Sequence, residues 1–108
     1  MSGYQPFTLS VPDSSLERLQ RKLSDATFPD EVEGAEWDYG APLADMKRLV
    51  KYWQNGYDWR KHEKEINELP NFHTKVEVDG FGELDVHFVY QKSEVANAIP
   101  LLFVHGCQ

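Results

Sequence analysis

The chain has 108 residues, 41% hydrophobic and 13% aromatic, which suffices for one modest core and excludes wholesale disorder. The formal charge of −7 has one source: seven acids from Asp25 to Asp45 with no Lys or Arg among them, while acids and bases balance elsewhere. An acidic chain without a basic, aromatic-interleaved stripe repels phosphate backbones, so nucleic acid is excluded as a partner, as are anionic membrane surfaces.

The arm from Pro6 to Val11 alternates like extended chain, and Pro12 hands over to Asp13-Ser14-Ser15, where Ser14 and Glu17 have capping-box spacing. Leu16, Leu19 and Leu23 then give a first helix one apolar stripe, ending near Asp25. From Thr27 to Ala41, Pro29, Gly34, Gly40 and the acids interrupt any period; Phe28, Trp37 and Tyr39 are expected to pin this meander by burying their rings. The acids lack the alternating Asp pattern of a calcium loop and read as a solvated surface with no bound ion.

Pro42 suits a helix N-terminus, and Leu43, Met46, Leu49, Val50 and Trp53 follow helical spacing until Asn55-Gly56, an αL-compatible stop. Asp58 is the expected N-cap of a third helix carrying Trp59, His62, Ile66 and Leu69, stopped by Pro70. The short link predicts that the second and third helices pack as a hairpin, with Trp53, Tyr57 and Trp59 as a structural cluster at its corner.

After Pro70 the period drops to two. Thr74, Val76 and Val78, then Leu84, Val86, Phe88 and Tyr90, mark two half-buried strands joined through Asp79-Gly80-Phe81-Gly82 as an antiparallel hairpin. Ile99 to Val104 is continuously apolar, as a strand buried on both faces is. The expected fold is therefore α+β: a helical meander of about three helices over residues 1–72, then a hairpin and one further buried strand over residues 73–108.

No apolar run approaches the roughly 20 residues of a membrane span, and no signal-peptide pattern opens the chain. The lone Cys107 forbids an internal disulfide and fits a reducing, cytoplasmic setting. His62-Glu63 begins like a zincin helix, but Ile66 stands where the second His is needed, and His62, His73, His87 and His105 share no ligand spacing. Neither a metal nor a cofactor is expected. Ser14 and Ser15 lack a nucleophile elbow. What remains is the strand end at His105-Gly106, where freed backbone N–H groups can meet a developing oxyanion.

Taken in order, Phe7 through Pro12, Phe28-Pro29-Asp30, Trp37-Asp38-Tyr39-Gly40, Tyr52-Trp53, Tyr57-Asp58-Trp59-Arg60, Glu63 with Asn67, Phe72, Asp79-Gly80, His87-Phe88 and the run Pro100 to Gly106 resemble the N-terminal region of microsomal-type epoxide hydrolases, a branch of the α/β-hydrolase superfamily. The resemblance implies an enzyme that opens an epoxide with an Asp carboxylate, helped by two cap-domain tyrosines, and hydrolyses the ester with a His and acid pair. In the family all five groups follow the His-Gly motif, so no catalytic residue is assigned here. Only part of an oxyanion-hole loop carries over, at His105, Gly106 and Cys107. The family continues His-Gly as Trp-Pro-Gly, where this chain has Cys107-Gln108.

The resemblance thus implies the amino-terminal portion of an epoxide hydrolase, inactive alone and meeting epoxide substrate only in a full-length context. The alternative is a stand-alone binding or regulatory module docking on a partner such as a full-length enzyme. In the family's sheet the His-Gly strand lies between two later strands, so Leu101 to Val104 is expected to self-associate, bind a partner or re-pair on the hairpin.

Overall fold

The computed structural model describes residues 3–106. It resolves into a helical unit, Leu9–Glu68, and a sheet unit built from the residues through Thr8 together with those from Leu69 onward.

In the helical unit, α1 (Asp13–Ser24) starts one residue ahead of the predicted cap. Pro12, extended at φ −60° and ψ 144°, takes the N-cap position, and its carbonyl accepts the Ser15 N–H at 2.9 Å. A proline locked at that φ sets the entry of the chain without a side-chain cap, so the Ser14 hydroxyl has no such role. Helix α2 (Leu43–Asn55) follows Pro42 as predicted, but Gly56 is right-handed at φ −117°. Its lack of a side chain serves a steric purpose: a Cβ there would lie 2.8 Å from the Tyr52 ring. Helix α3 (Trp59–Asn67) is capped as expected, the Asp58 carboxylate accepting the Lys61 N–H at 3.2 Å.

Helix α2 packs on α1, not on α3 as the short link suggested. The physical reason lies in the stripes: Leu16 and Leu19 of α1 face Leu49 and Trp53 of α2, whereas α3 turns its polar face to the chain before α1. Gln54 Nε2 donates to Ser24 Oγ at 3.0 Å, tying the C-terminal ends of α1 and α2 together.

The acidic meander is not held by its rings. Phe28 is half-buried, but Trp37 and Tyr39 are 68% and 85% exposed, because Glu36 and Gly34, both at positive φ, turn the chain outward around the buried Ala35. A carboxylate does part of the holding: Glu31 Oε1 accepts the Leu43 N–H at 3.2 Å, satisfying a donor at the start of α2, where negative charge is favoured.

In the sheet unit, β1 (Gln5–Pro6), β2 (Asn71–Val78) and β3 (Gly82–Val89) form an antiparallel sheet in the order β1-β2-β3. Strand β2 begins ahead of the alternation read from Thr74, because the arm pairs with Phe72 and His73 and the Phe7 N–H reaches the Asn71 carbonyl at 2.9 Å. Val78 turns back on Gly82 through a Phe81 N–H bond to the Val78 carbonyl of 2.9 Å, with Gly80 and Gly82 at φ +81° and +74°. One face pairs Phe72 with Phe88, Thr74 with Val86 and Val76 with Leu84; the other pairs His73 with His87, Lys75 with Asp85 and Glu77 with Glu83. Tyr4 stands edge-on to Phe72 and Phe88, with centroids 4.9 and 5.9 Å apart.

The run from Ile99 to Val104 departs from expectation. It is not a buried strand, nor does it re-pair on the hairpin; it has no regular structure, and its apolar side chains are fully exposed, Ile99 at 92%. A parallel-type buried strand exists only between neighbours that take its backbone groups, and none is found among the described residues. Replacing Leu102 and Val104 with Lys is expected to raise the solubility limit without altering the far-ultraviolet circular dichroism. Trp53 is 45% exposed, so Trp53→Ala is expected to cost about 2 kcal/mol in urea denaturation, roughly half the ~3–5 kcal/mol of a fully buried ring.

Candidate functional site

The loop assigned by resemblance lies at the end of the described residues. His105 is exposed, and its Nδ1 sits 3.0 Å from the Gly106 carbonyl oxygen. Gly106 has open space where a Cβ would stand, which leaves its backbone approachable. Cys107 lies outside the described residues. The other histidines make local pairs: His62 Nδ1 with Glu65 at 2.9 Å, under the stacked Tyr57 ring; His73 Nδ1 with Asp85 at 3.2 Å; and His87 Nε2 with Asn71 Oδ1 at 3.0 Å. Phe7 lies against both His73 and His87. Among the described residues no three His, Cys, Asp or Glu side chains are grouped to hold a metal ion.

The Trp53, Tyr57 and Trp59 cluster does form, but as the wall of an open groove and not as a closed core. The groove has a volume of about 550 Å³ and is completed by Val11, Leu16, Leu19 and Leu49. No carboxylate or histidine lines it, so the hydroxyls of Ser15, Tyr52 and Tyr57 on its wall have no general base beside them and the groove offers mainly apolar contact.

The most ordered polar cluster is one that periodicity did not disclose. Arg60, Glu63 and Asn67 share one face of α3, and they hold the extended chain that leads into α1. Asn67 Oδ1 accepts the Leu9 N–H and Asn67 Nδ2 donates to the Leu9 carbonyl, both at 2.8 Å. Glu63 Oε1 accepts the Val11 N–H at 2.6 Å, and Arg60 donates to Glu63 Oε2 at 2.5 Å and also to Asp13. Glu63 is only 7% exposed. The Val11 N–H, and next the Arg60 guanidinium, hold its carboxyl below the usual glutamate range against the cost of desolvation, with a smaller pull from the Trp59 indole. Arg60 is shifted up in return, chiefly by its hydrogen bond to Glu63 and then by Asp13. Every group in this cluster is spent on another part of the chain, which makes it a structural clasp. Arg60, Glu63, Asn67 and the arm from Phe7 through Pro12 all belonged to the sequence resemblance; the pairing between them left no signal, because a side chain bonded to extended backbone imposes no period.

Comparison with known proteins matches residues 4–107 to the family described as the epoxide hydrolase N terminus. A putative epoxide hydrolase of Stigmatella aurantiaca is 39% identical over 104 residues, which cover 96% of this chain and 22% of the relative. Juvenile hormone epoxide hydrolase 2 of Ctenocephalides felis is 34% identical over 108 residues, covering 97% of this chain and 22% of its own. The structure of Aspergillus niger epoxide hydrolase superposes with a TM-score of 0.71 at 29% identity, over 86% of this chain and 24% of that one. The chain thus spans about a fifth of the length of these relatives.

Two outcomes follow from the clasp. Asn67→Ala is expected to lower stability by about 1–3 kcal/mol, since both Leu9 groups lose their partner, as read from thermal unfolding. Glu63 is depressed in the folded state, so its contribution is present above the ordinary glutamate pKa and is lost as pH falls through the lower folded value. Stability of the native chain should therefore decline on acidification through that window, and Glu63→Gln should flatten the decline while lowering stability at neutral pH.

Proposed function

The chain belongs to the epoxide hydrolase family, whose N-terminal region it matches, and from that premise we propose that it forms the meander and first sheet strands of an enzyme that hydrolyses epoxides to vicinal diols. The observation that carries this reading is the continuous match over residues 4–107, together with an α+β arrangement shared with a solved epoxide hydrolase.

The chemistry asks for three things: a carboxylate that attacks an epoxide carbon, an acid that protonates the departing ring oxygen, and a base that delivers water to the resulting ester. The described residues supply none of these as a set. Glu63 and Asp13 are engaged by Arg60, and the carboxylate–histidine pairs Glu65–His62 and Asp85–His73 stand in solvent with no enclosing cavity. The role of this chain in turnover is accordingly architectural. The His105-Gly106-Cys107 loop contributes part of an oxyanion hole through backbone N–H groups, and the remaining catalytic groups come from the portion that full-length relatives possess. Among the described residues no helix is long and apolar enough to cross a membrane.

Purified 108-residue chain is expected to turn over styrene oxide no faster than a heat-killed control, because without a nucleophile only the residual effect of binding is left. Diol production above that control, or an ester adduct on any of its carboxylates in intact-mass spectra, would refute the architectural role.

A further inference from the structure

We infer that the Asn55-Gly56 peptide is a spontaneous deamidation site whose rate is set by opening of the last turn of α2. The asparagines are Asn55, Asn67, Asn71 and Asn97, and of these Asn55 alone precedes glycine, the residue that least hinders attack by its own backbone nitrogen. Position 56 does not accept a bulkier residue, since the Tyr52 ring occupies the space a Cβ would need. The packing that requires glycine therefore also keeps the reactive dipeptide. Both residues are exposed, so water reaches them. Every contact concerned lies within the helical unit and depends neither on the proposed function nor on any unpartnered surface.

The reacting groups are held apart while α2 is intact. Asn55 is the last helical residue, and at helical ψ its Cγ does not lie over the Gly56 nitrogen. The Gly56 N–H donates to the Tyr52 carbonyl at 2.7 Å, and Asn55 Nδ2 donates to the Lys51 carbonyl at 3.0 Å. When that turn frays, both bonds break and ring closure can proceed. The Gly56 nitrogen bonds to Asn55 Cγ, the Cγ–Nδ2 bond breaks, and Nδ2 leaves as ammonia with the proton lost from Gly56. Water then opens the succinimide at Cγ to give aspartate, or at the Asn55 main-chain carbonyl carbon to give isoaspartate. Isoaspartate routes the main chain through the side chain and lengthens it by one carbon. The Tyr52 carbonyl accepts from both Gly56 and Tyr57, the latter at 3.0 Å, so this lengthening removes the stop of α2 and loosens Tyr57 on the groove wall. Either product also puts a carboxylate at a helix C-terminus, where negative charge is unfavourable.

The test is peptide mapping by mass spectrometry of the full chain, incubated folded and in guanidinium at mildly alkaline pH. The amide-to-acid mass gain is expected at Asn55 ahead of Asn67, Asn71 and Asn97, as a mixture of aspartyl and isoaspartyl peptides. The folded chain should convert at least about tenfold more slowly than the unfolded one. Gln54→Gly loosens the last turn and removes the 3.0 Å bond from Gln54 to Ser24 Oγ; it should narrow that ratio about threefold, with the unfolded rate unchanged. Should Gln54→Gly fail to fold, Ser24→Ala removes the same tie from α1 and should narrow the ratio about twofold. The separated isoaspartyl form should unfold at a lower temperature than its parent. Conversion at another asparagine first, equal rates folded and unfolded, an unchanged ratio in a folded variant, or an isoaspartyl form as stable as the parent would overturn the inference.

Discussion

The contact on which the helical unit depends is a match of repeat lengths between an extended chain and a helix. Leu9, Val11 and Asp13 present their groups at every second residue, and Asn67, Glu63 and Arg60 meet them in reverse order from one face of α3. Two extended residues advance about 6.6 Å, and the four helical residues from Asn67 to Glu63 about 6 Å, so the two ladders stay in phase. The shorter helical step to Arg60 is absorbed by its long side chain. A nine-residue helix is marginal in water and an isolated extended arm has no hydrogen-bonding partner, so each element supplies what the other lacks.

This dependence on polar contacts follows from how little apolar surface is enclosed. Leu23 and Ala35 are the buried hydrophobic residues among those described, while Glu63 and Asn71 are buried polar ones. Where few side chains are removed from water, a buried carboxylate with two donors carries an unusual share of the conformational definition. The same shortage explains why the apolar face of the hairpin, the groove of the helical unit and the run at residues 99–104 all remain open. Their composition is that of a core, yet about four fifths of the length of the relatives lies outside the matched segment.

Elements governed by local chemistry were legible in the sequence. Pro42 and Asp58 marked helix starts because a fixed φ and a short acceptor act within one turn; the hairpin was legible because alternation and two positive-φ glycines jointly fix register. Features that depend on what lies across space were not. Chain proximity favoured α2 against α3, but complementary stripes put α2 on α1. Trp37 and Tyr39 read as buried because large rings usually are, and Ile99 to Val104 read as a strand because its composition asks for neighbours on both sides. Of the candidate site, His105 and Gly106 were visible as the end of an apolar run, and Cys107 through family resemblance alone. The residues of the clasp were visible through that resemblance, at Phe7 through Pro12, Arg60, Glu63 and Asn67, but the pairing between them was not.

The bonds between Leu9 and Asn67 join positions 58 residues apart, so the helical unit leaves and re-enters the chain at nearly one point. On either side of it, Pro6 and Phe72 are paired neighbours in the sheet. In topological terms the helices are an excursion inserted into a hairpin-like pairing of β1 with β2, closed by a side-chain amide where a tight turn would otherwise serve. Loop-closure entropy grows only slowly with length, so such an excursion can gain or lose residues at little cost provided its two ends remain tied. The meander between α1 and α2 is thereby free to vary in length and composition, whereas the few residues at the neck are not.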